Sequence, residues 1–274
     1  MKELKDYKYL FILIGGLVLF LVGSFFGLLM AYLFIGKGMS FDSFYQIIGY
    51  FANYYTDTVT ESGEIISTIV QNYFAQNPEH FEIGKYGNIL IQFFAYVPLL
   101  VLCGFLYKDF IKDAKEFKNN LKDNLIKIII YFGLLLLCSY IITMVYNALQ
   151  IGGQSDNESI LGLMIDSDHK FLFIITVVFI GPFIEEVLYR KFIFDAAEKT
   201  FKLKPIYAII IAIFIFSLIH VSDLENIKYI FQYMAMAIPL TLAYHDSKNN
   251  IFVSTGVHIL NNLIVALSYL AYLN

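Results

Sequence analysis

The chain has 274 residues, 58% of them hydrophobic and 15% charged, with a net charge of −4 and a mean hydropathy of +0.66. Soluble domains carry about 25% charged residues, so a soluble globular protein is excluded, and without a basic patch nucleic acid is excluded as a partner. The two cysteines, Cys103 and Cys138, each lie in an apolar run, which leaves neither a disulfide framework nor a CxxC metal site.

The apolar residues fall into runs that match the roughly 20 residues needed to cross a hydrocarbon layer about 30 Å thick. Lys2, Lys5 and Lys8 precede the first run, residues 9–35. That run exceeds the roughly 7–15 residues of a cleavable signal core, so it is expected to remain as a membrane span. Residues 36–88 form a long outer segment. Within it Ile65, Ile66, Ile69, Val70, Tyr73 and Phe74 recur at helical spacing opposite Glu61, Glu64 and Gln71. A weaker stripe runs through Phe41, Phe44, Tyr45, Ile48 and Phe51. Both suit amphipathic helices on the membrane surface or capping the bundle; the alternatives are an eighth span or a re-entrant hairpin. Further spans are predicted near residues 89–107, 125–149, 170–197, 205–221, 227–244 and 250–273. The fold class is all-α, a polytopic transmembrane helix bundle with about seven or eight spans. Residues 1–169 supply the N-terminal membrane helices and the extracytoplasmic amphipathic segment. Residues 170–274 supply a helical core, and the two parts form one integrated unit.

With the N-terminus in the cytoplasm, the inner segments hold most of the 19 basic residues, including Lys108, Lys112, Lys115, Lys118, Lys122, Lys127, Lys199, Lys202, Lys204 and Lys248. The outer segments keep Lys37, Lys85, Lys170 and Lys228 beside Asp166, Asp168, Asp223 and Glu225. The positive-inside rule therefore predicts N-in and C-out. Lys108–Lys127 reads as a solvated basic loop or helix touching anionic lipid head groups, which makes membrane lipid an expected partner. The polar run Asp166–His169 reads as a solvated loop.

Ionisable residues inside a bilayer are costly and mark function. Span four holds Gly181-Pro182-Phe183-Ile184-Glu185-Glu186-Val187-Leu188-Tyr189-Arg190. Glu186 and Arg190, at i and i+4, share a helix face and can pair. Glu185 projects about 100° away, free to face a cavity, and Pro182 removes a backbone hydrogen bond just upstream. Span five ends in Phe216-Ser217-Leu218-Ile219-His220. Positions 185 and 220 lie nearly equally far from the turn around Lys202, so an antiparallel hairpin brings them to one depth. Span seven places His258 and Asn262 on one face.

Glu185-Glu186-x-x-x-Arg190, Phe216-x-x-x-His220 and His258-x-x-x-Asn262 resemble the motifs of the CPBP family, the CAAX proteases and bacteriocin-processing enzymes also called Abi. Each motif is weak alone; the ordered set of three, over about residues 170–273, is specific. The resemblance implies an intramembrane glutamate-type endopeptidase. In it Glu185 and His220 activate a water, His258 and Asn262 stabilise the oxyanion, and Glu186 and Arg190 shape the site. It further implies a hydrophobic or lipid-modified peptide, CAAX-like in one form, as substrate, with no cofactor and no metal.

Other mechanisms find less support in the residues. HExxH is absent, although two His and two Glu leave a metal site open, and no GxGD motif occurs. Ser254, four residues before His258, lacks the glycine frame of a nucleophile and reads as a helix hydrogen-bonding residue. Two rival functions use the same features: a bacteriocin-immunity or scaffold protein, and a small transporter, which the lack of inverted repeats disfavours. The wealth of Phe, Tyr, Ile, Lys and Asn without Trp suits an AT-rich microbial genome, and the expected location is a prokaryotic cell membrane.

Overall fold

The computed structural model describes residues 8–55, 60, 64–152, 162–221 and 226–273. Lys2, Lys5, Glu61, Asp223 and Glu225, which entered the charge and amphipathicity expectations, lie outside the described residues. The helices are α1 (Lys8–Ile35), α2 (Phe41–Ala52), α3 (Ile66–Gln76), α4 (Pro78–Cys103), α5 (Tyr107–Asn119) and α6 (Leu121–Ala148). They continue with α7 (Lys170–Thr200), α8 (Pro205–Ile219), α9 (Ile230–Asp246) and α10 (Ile251–Leu273). No β-strand element occurs among the described residues, so the chain is an all-α helical bundle as its composition requires.

Among the described residues, four helical stretches are long and apolar enough to cross a membrane: Ile14–Ile35, Leu121–Ala148, Lys170–Thr200 and Ile251–Ala271. A fifth follows if Pro78–Val101 and Gly104–Asn119, bent by 41° at their junction, form one broken span. The chain is thus a multi-pass membrane protein. The difference from the seven or eight spans expected lies chiefly in α8 and α9, which have 15 and 17 residues. At 1.5 Å per residue they reach only about 22 and 25 Å, short of the hydrocarbon thickness. Pro205 starts α8 where its missing N–H is no loss, and the helix stops at Ile219, so His220 sits at its end.

Lipid-facing surfaces are evident on α1, where Phe11, Leu21, Phe25 and Leu33 are exposed, and on α6, where Ile129, Ile130, Leu137, Tyr140 and Met144 are exposed. Exposed apolar faces of this extent suit hydrocarbon rather than water. Residues of α1 and α4 touch backbone to backbone. A Cβ on Gly23 would lie 2.5 Å from the Ala95 carbonyl oxygen, and one on Gly27 would lie 2.4 Å from that of Ile91. This four-residue glycine spacing lets membrane helices approach closely where dispersion and weak polar contacts replace hydrophobic drive. Gly27→Val is therefore expected to destabilise the fold by about 1–3 kcal/mol. The check is thermal unfolding in detergent, and an unchanged midpoint would contradict the close contact.

The amphipathic segments do cap the bundle. On α2, Phe44, Ile47, Ile48 and Phe51 are buried, whereas Tyr45 is exposed. On α3 the buried face is Ser67, Val70 and Phe74, and Ile65 and Ile69 point outward. Of these, Ile47, Phe51, Val70 and Phe74 meet Ile89 of α4, Phe173 and Val178 of α7 and Ala266 of α10 in one apolar cluster, while Phe44 and Ile48 pack with Ala31 of α1 and Leu90 of α4 in another. The polar run before α7 is more than a solvated loop. Ser167 is buried, the His169 ring stacks on Tyr86 at 3.5 Å, and the Asp166 carbonyl accepts from Lys85 at 3.3 Å.

At the opposite end, the lysine-rich stretch begins as helix α5, with Lys108, Lys112, Lys115 and Lys118 exposed. Its Asp113 turns inward and pairs with Lys191 of α7 at 2.7 Å, both side chains being buried. Lys191 also donates to the Asn249 carbonyl, and the Asn250 side chain donates to the Asp113 carbonyl. Tyr244 of α9 donates to Asp195, which also receives Lys199. Consecutive positive φ values at Lys248 and Asn249 make the α9–α10 turn tight enough to present these groups. The cluster fastens α5, α7, α9 and α10 at one end.

Candidate active site

Helix α7 carries the site and is wound unevenly. Ile175–Ile180 and Val187–Phe194 are π-helical, with α-helical Gly181–Glu186 between them. Such wide turns concentrate at functional sites because they shift side-chain register and free backbone groups. Here the cause is visible. In i→i+5 register the Val177 carbonyl would take the N–H of residue 182, which is Pro182 and has none. Asn262 of α10 fills the gap, donating through Nδ2 to the Val177 oxygen at 2.8 Å.

Glu186 and Arg190 are both fully buried, with Nε 3.1 Å from Oε2. The contact brings charges together without an aligned hydrogen bond. The guanidinium also lies 5.3 Å from the Phe216 ring centroid, where the ring face attracts a cation. The second Glu186 oxygen, Oε1, lies 3.1 Å from Nδ1 of His258. A carboxylate between a guanidinium and an imidazole accepts from the imidazole, so Nδ1 carries the proton. Nε2 of His258 then faces Glu185, 3.8 Å from Oε2.

His220 reaches the same oxygen from the other side. Its Nδ1 lies 2.8 Å from the Phe216 carbonyl oxygen, and its ring stacks on Phe216 at 4.3 Å. The carbonyl can only accept, so Nδ1 is the donor and Nε2 of the neutral ring is an acceptor. That Nε2 is 3.8 Å from Glu185 Oε2, with side chains 17% and 23% exposed. A separation of 3.8 Å is too long for a direct hydrogen bond and is the span that one bridging water closes. The other Glu185 oxygen, Oε1, accepts from Tyr96 of α4 at 3.4 Å.

These groups border a cavity of about 320 Å³ lined also by Gln92, Tyr233, Met236, Asn261 and Asn262. All six residues singled out from the sequence, Glu185, Glu186, Arg190, His220, His258 and Asn262, therefore fall in one cluster, with Arg190 and Glu186 behind the cavity wall. Ser254 donates to the Ile251 carbonyl at 3.2 Å, the helix bond expected of it. Tyr96, Gln92 and Asn261 were missed. Gln92 and Tyr96 are i and i+4 in an apolar run, the same face signal that marked His258 and Asn262. Among the described residues, no group of three or more His, Cys, Asp and Glu side chains has the spacing to hold a metal ion.

Comparison with known proteins bears on the same region. The chain is 31% identical over 129 residues to the membrane-embedded CAAX protease MroQ of Staphylococcus aureus (strain USA300), a match covering 47% of this chain and 50% of that protein. The chain thus matches about half the length of that curated relative. No solved structure matches it. Residues 167–264, which hold all three motifs, match the family described as type II CAAX prenyl endopeptidase Rce1-like, so it is through this segment that the chain is similar to the CAAX proteases.

Proposed function

We propose that the protein is an intramembrane peptidase of a prokaryotic cell membrane, N-terminus in the cytoplasm, that cleaves a hydrophobic or lipid-modified peptide with a water activated by Glu185 and His220. The observation that carries this reading is the convergence of His220 Nε2 and His258 Nε2 on Glu185 Oε2, each at 3.8 Å. A water between Glu185 and His220 donates one hydrogen to each, which turns its lone pair toward the cavity. In attack, the water oxygen bonds to the scissile carbonyl carbon and one proton passes to the Glu185 carboxylate. The carbonyl electron pair becomes an oxyanion. Donors fixed before the reaction stabilise such charge because they need no reorganisation. His258 serves through Nε2 when that nitrogen carries a proton, its Nδ1 being held by Glu186 behind it. Asn262 serves with its second amide hydrogen, since the first is held by Val177. Collapse of the intermediate breaks the C–N bond, and the Glu185 proton passes to the leaving amine. Every proton is accounted for without a covalent enzyme intermediate.

The test uses protein reconstituted in liposomes with an apolar membrane-associated peptide, its products read by mass spectrometry before and after exhaustive dialysis against a strong chelator. Cleavage is expected, at a rate unchanged by the chelator. Cleavage abolished by chelation and restored by a metal would overturn the mechanism.

A further inference from the structure

The cavity has a direction. From Glu185 its α7 wall climbs through Gly181, Val177 and Phe173, one turn at a time toward the helix N-terminus. Its α10 wall leaves His258 and passes Ala266 and Tyr269 toward the helix C-terminus. Both walls lead to the same end of the bundle, away from the lysine-rich turns at Lys108–Lys127 and Lys199–Lys204. On the lysine side of Glu185 the interior is filled. Arg190, Phe216, Asp195 and Tyr244 are all fully buried, and the Asp113–Lys191 pair closes the layer beneath them.

The lining chemistry is equally one-sided. Among the described residues it holds no Lys, Arg or Asp, and Glu185 is its one carboxylate. Its remaining polar groups include three primary amides, Gln92, Asn261 and Asn262, which can donate to and accept from a peptide backbone. Phe173, Val177 and Tyr269 offer apolar surface for side chains. A free carboxylate inside would meet Glu185 with no Lys or Arg among the described lining residues to offset it, the two lining histidines being tied through Nδ1 to Phe216 and Glu186, and juxtaposed like charges are strongly disfavoured.

We infer that the cavity admits an uncharged, apolar stretch from the interior of a polypeptide, through the membrane face opposite the lysine-rich turns. This rests on the peptidase reading only for the claim that the occupant is cut. The test uses a background with Cys103→Ala and Cys138→Ala, single cysteines at Ala266 or Gln92 in the cavity and at Lys115 outside it, and a small membrane-impermeant thiol reagent. Right-side-out and inverted vesicles are compared. Ala266→Cys and Gln92→Cys are expected to react in the vesicles that protect Lys115→Cys, and to be protected in those that expose it. A capped alanine–leucine peptide is expected to abolish labelling at position 266, and the same peptide ending in a free carboxylate is expected to leave it intact. Labelling of cavity and Lys115 positions from one side would overturn the inference. So would labelling of the cavity positions from neither side, or equal protection by the carboxylate peptide. Repeating the labelling in Glu185→Gln protein separates the two readings, since sidedness needs no turnover. Sided labelling with no cleavage by the otherwise wild-type chain would remove the peptidase reading alone.

Discussion

Glu186→Gln is expected to lower the stability of the folded protein by about 3–5 kcal/mol, the cost of leaving one member of a buried ion pair without its partner. Both partners have no exposed surface, and Arg190 has no second carboxylate within ion-pair distance among the described residues. The Phe216 ring face offsets part of the charge at 5.3 Å but cannot accept a hydrogen bond as a carboxylate does. The loss is compounded because Glu186 Oε1 also receives His258. The double change Glu186→Gln with Arg190→Met is expected to recover part of the loss, since replacing a buried pair by neutral groups of similar volume removes the uncompensated charge. Thermal unfolding of the three proteins in one detergent measures the cycle. Equal stability of Glu186→Gln and the parent would show that the pair is not a buried ion pair.

His220→Ala is expected to reduce turnover by about 10²–10⁴-fold, the usual contribution of a positioned acid–base group, while leaving stability within a few tenths of a kcal/mol to about 1.5 kcal/mol. The asymmetry follows from its place. His220 ends α8 and hydrogen-bonds only the Phe216 carbonyl of its own helix among the contacts resolved for it, so the bundle loses little when it goes. The water, however, loses the acceptor that takes its second hydrogen. His220→Gln should recover some activity if its amide oxygen reaches the same water, an outcome read as a rise in kcat with KM unchanged. Equal losses of stability and activity would assign His220 a structural role instead.

How much of this site the sequence discloses depends on whether a residue's partner is near in chain or only in space. The Glu186–Arg190 pair follows from helical periodicity alone, and it survives even though the segment is π-helical. Glu185 and His220 follow from one further step, equal distance from the turn at Lys202, which has φ +56°. Tyr96 follows from neither. Its i, i+4 spacing with Gln92 marks a face, but its contact with Glu185 depends on how α4 packs against α7 in space. The Asp113–Lys191 pair is hidden for the same reason, since its members lie 78 positions apart by their numbering. Lysines around Asp113 read as a solvated stretch because nothing local shows that one carboxylate turns inward. The role of Pro182 was half visible. Loss of its N–H is a local fact, but the Asn262 amide that fills the Val177 carbonyl is supplied by the last helix. The fifth and sixth apolar runs read from the sequence are helices of 15 and 17 residues, shorter than the four stretches long enough to cross. That shortness places His220 at a helix end within the site.

The central claim, that Glu185 is the base and Glu186 a positioning carboxylate, is tested most directly by comparing turnover of Glu185→Gln with that of the parent protein in the same liposomes. An amide fills nearly the volume of the carboxylate and keeps an acceptor for Tyr96, yet it cannot take a proton from water. The account predicts normal thermal unfolding with cleavage lost to background. Near-normal cleavage by Glu185→Gln, beside a folded but inactive Glu186→Gln, would contradict it by reversing the two roles.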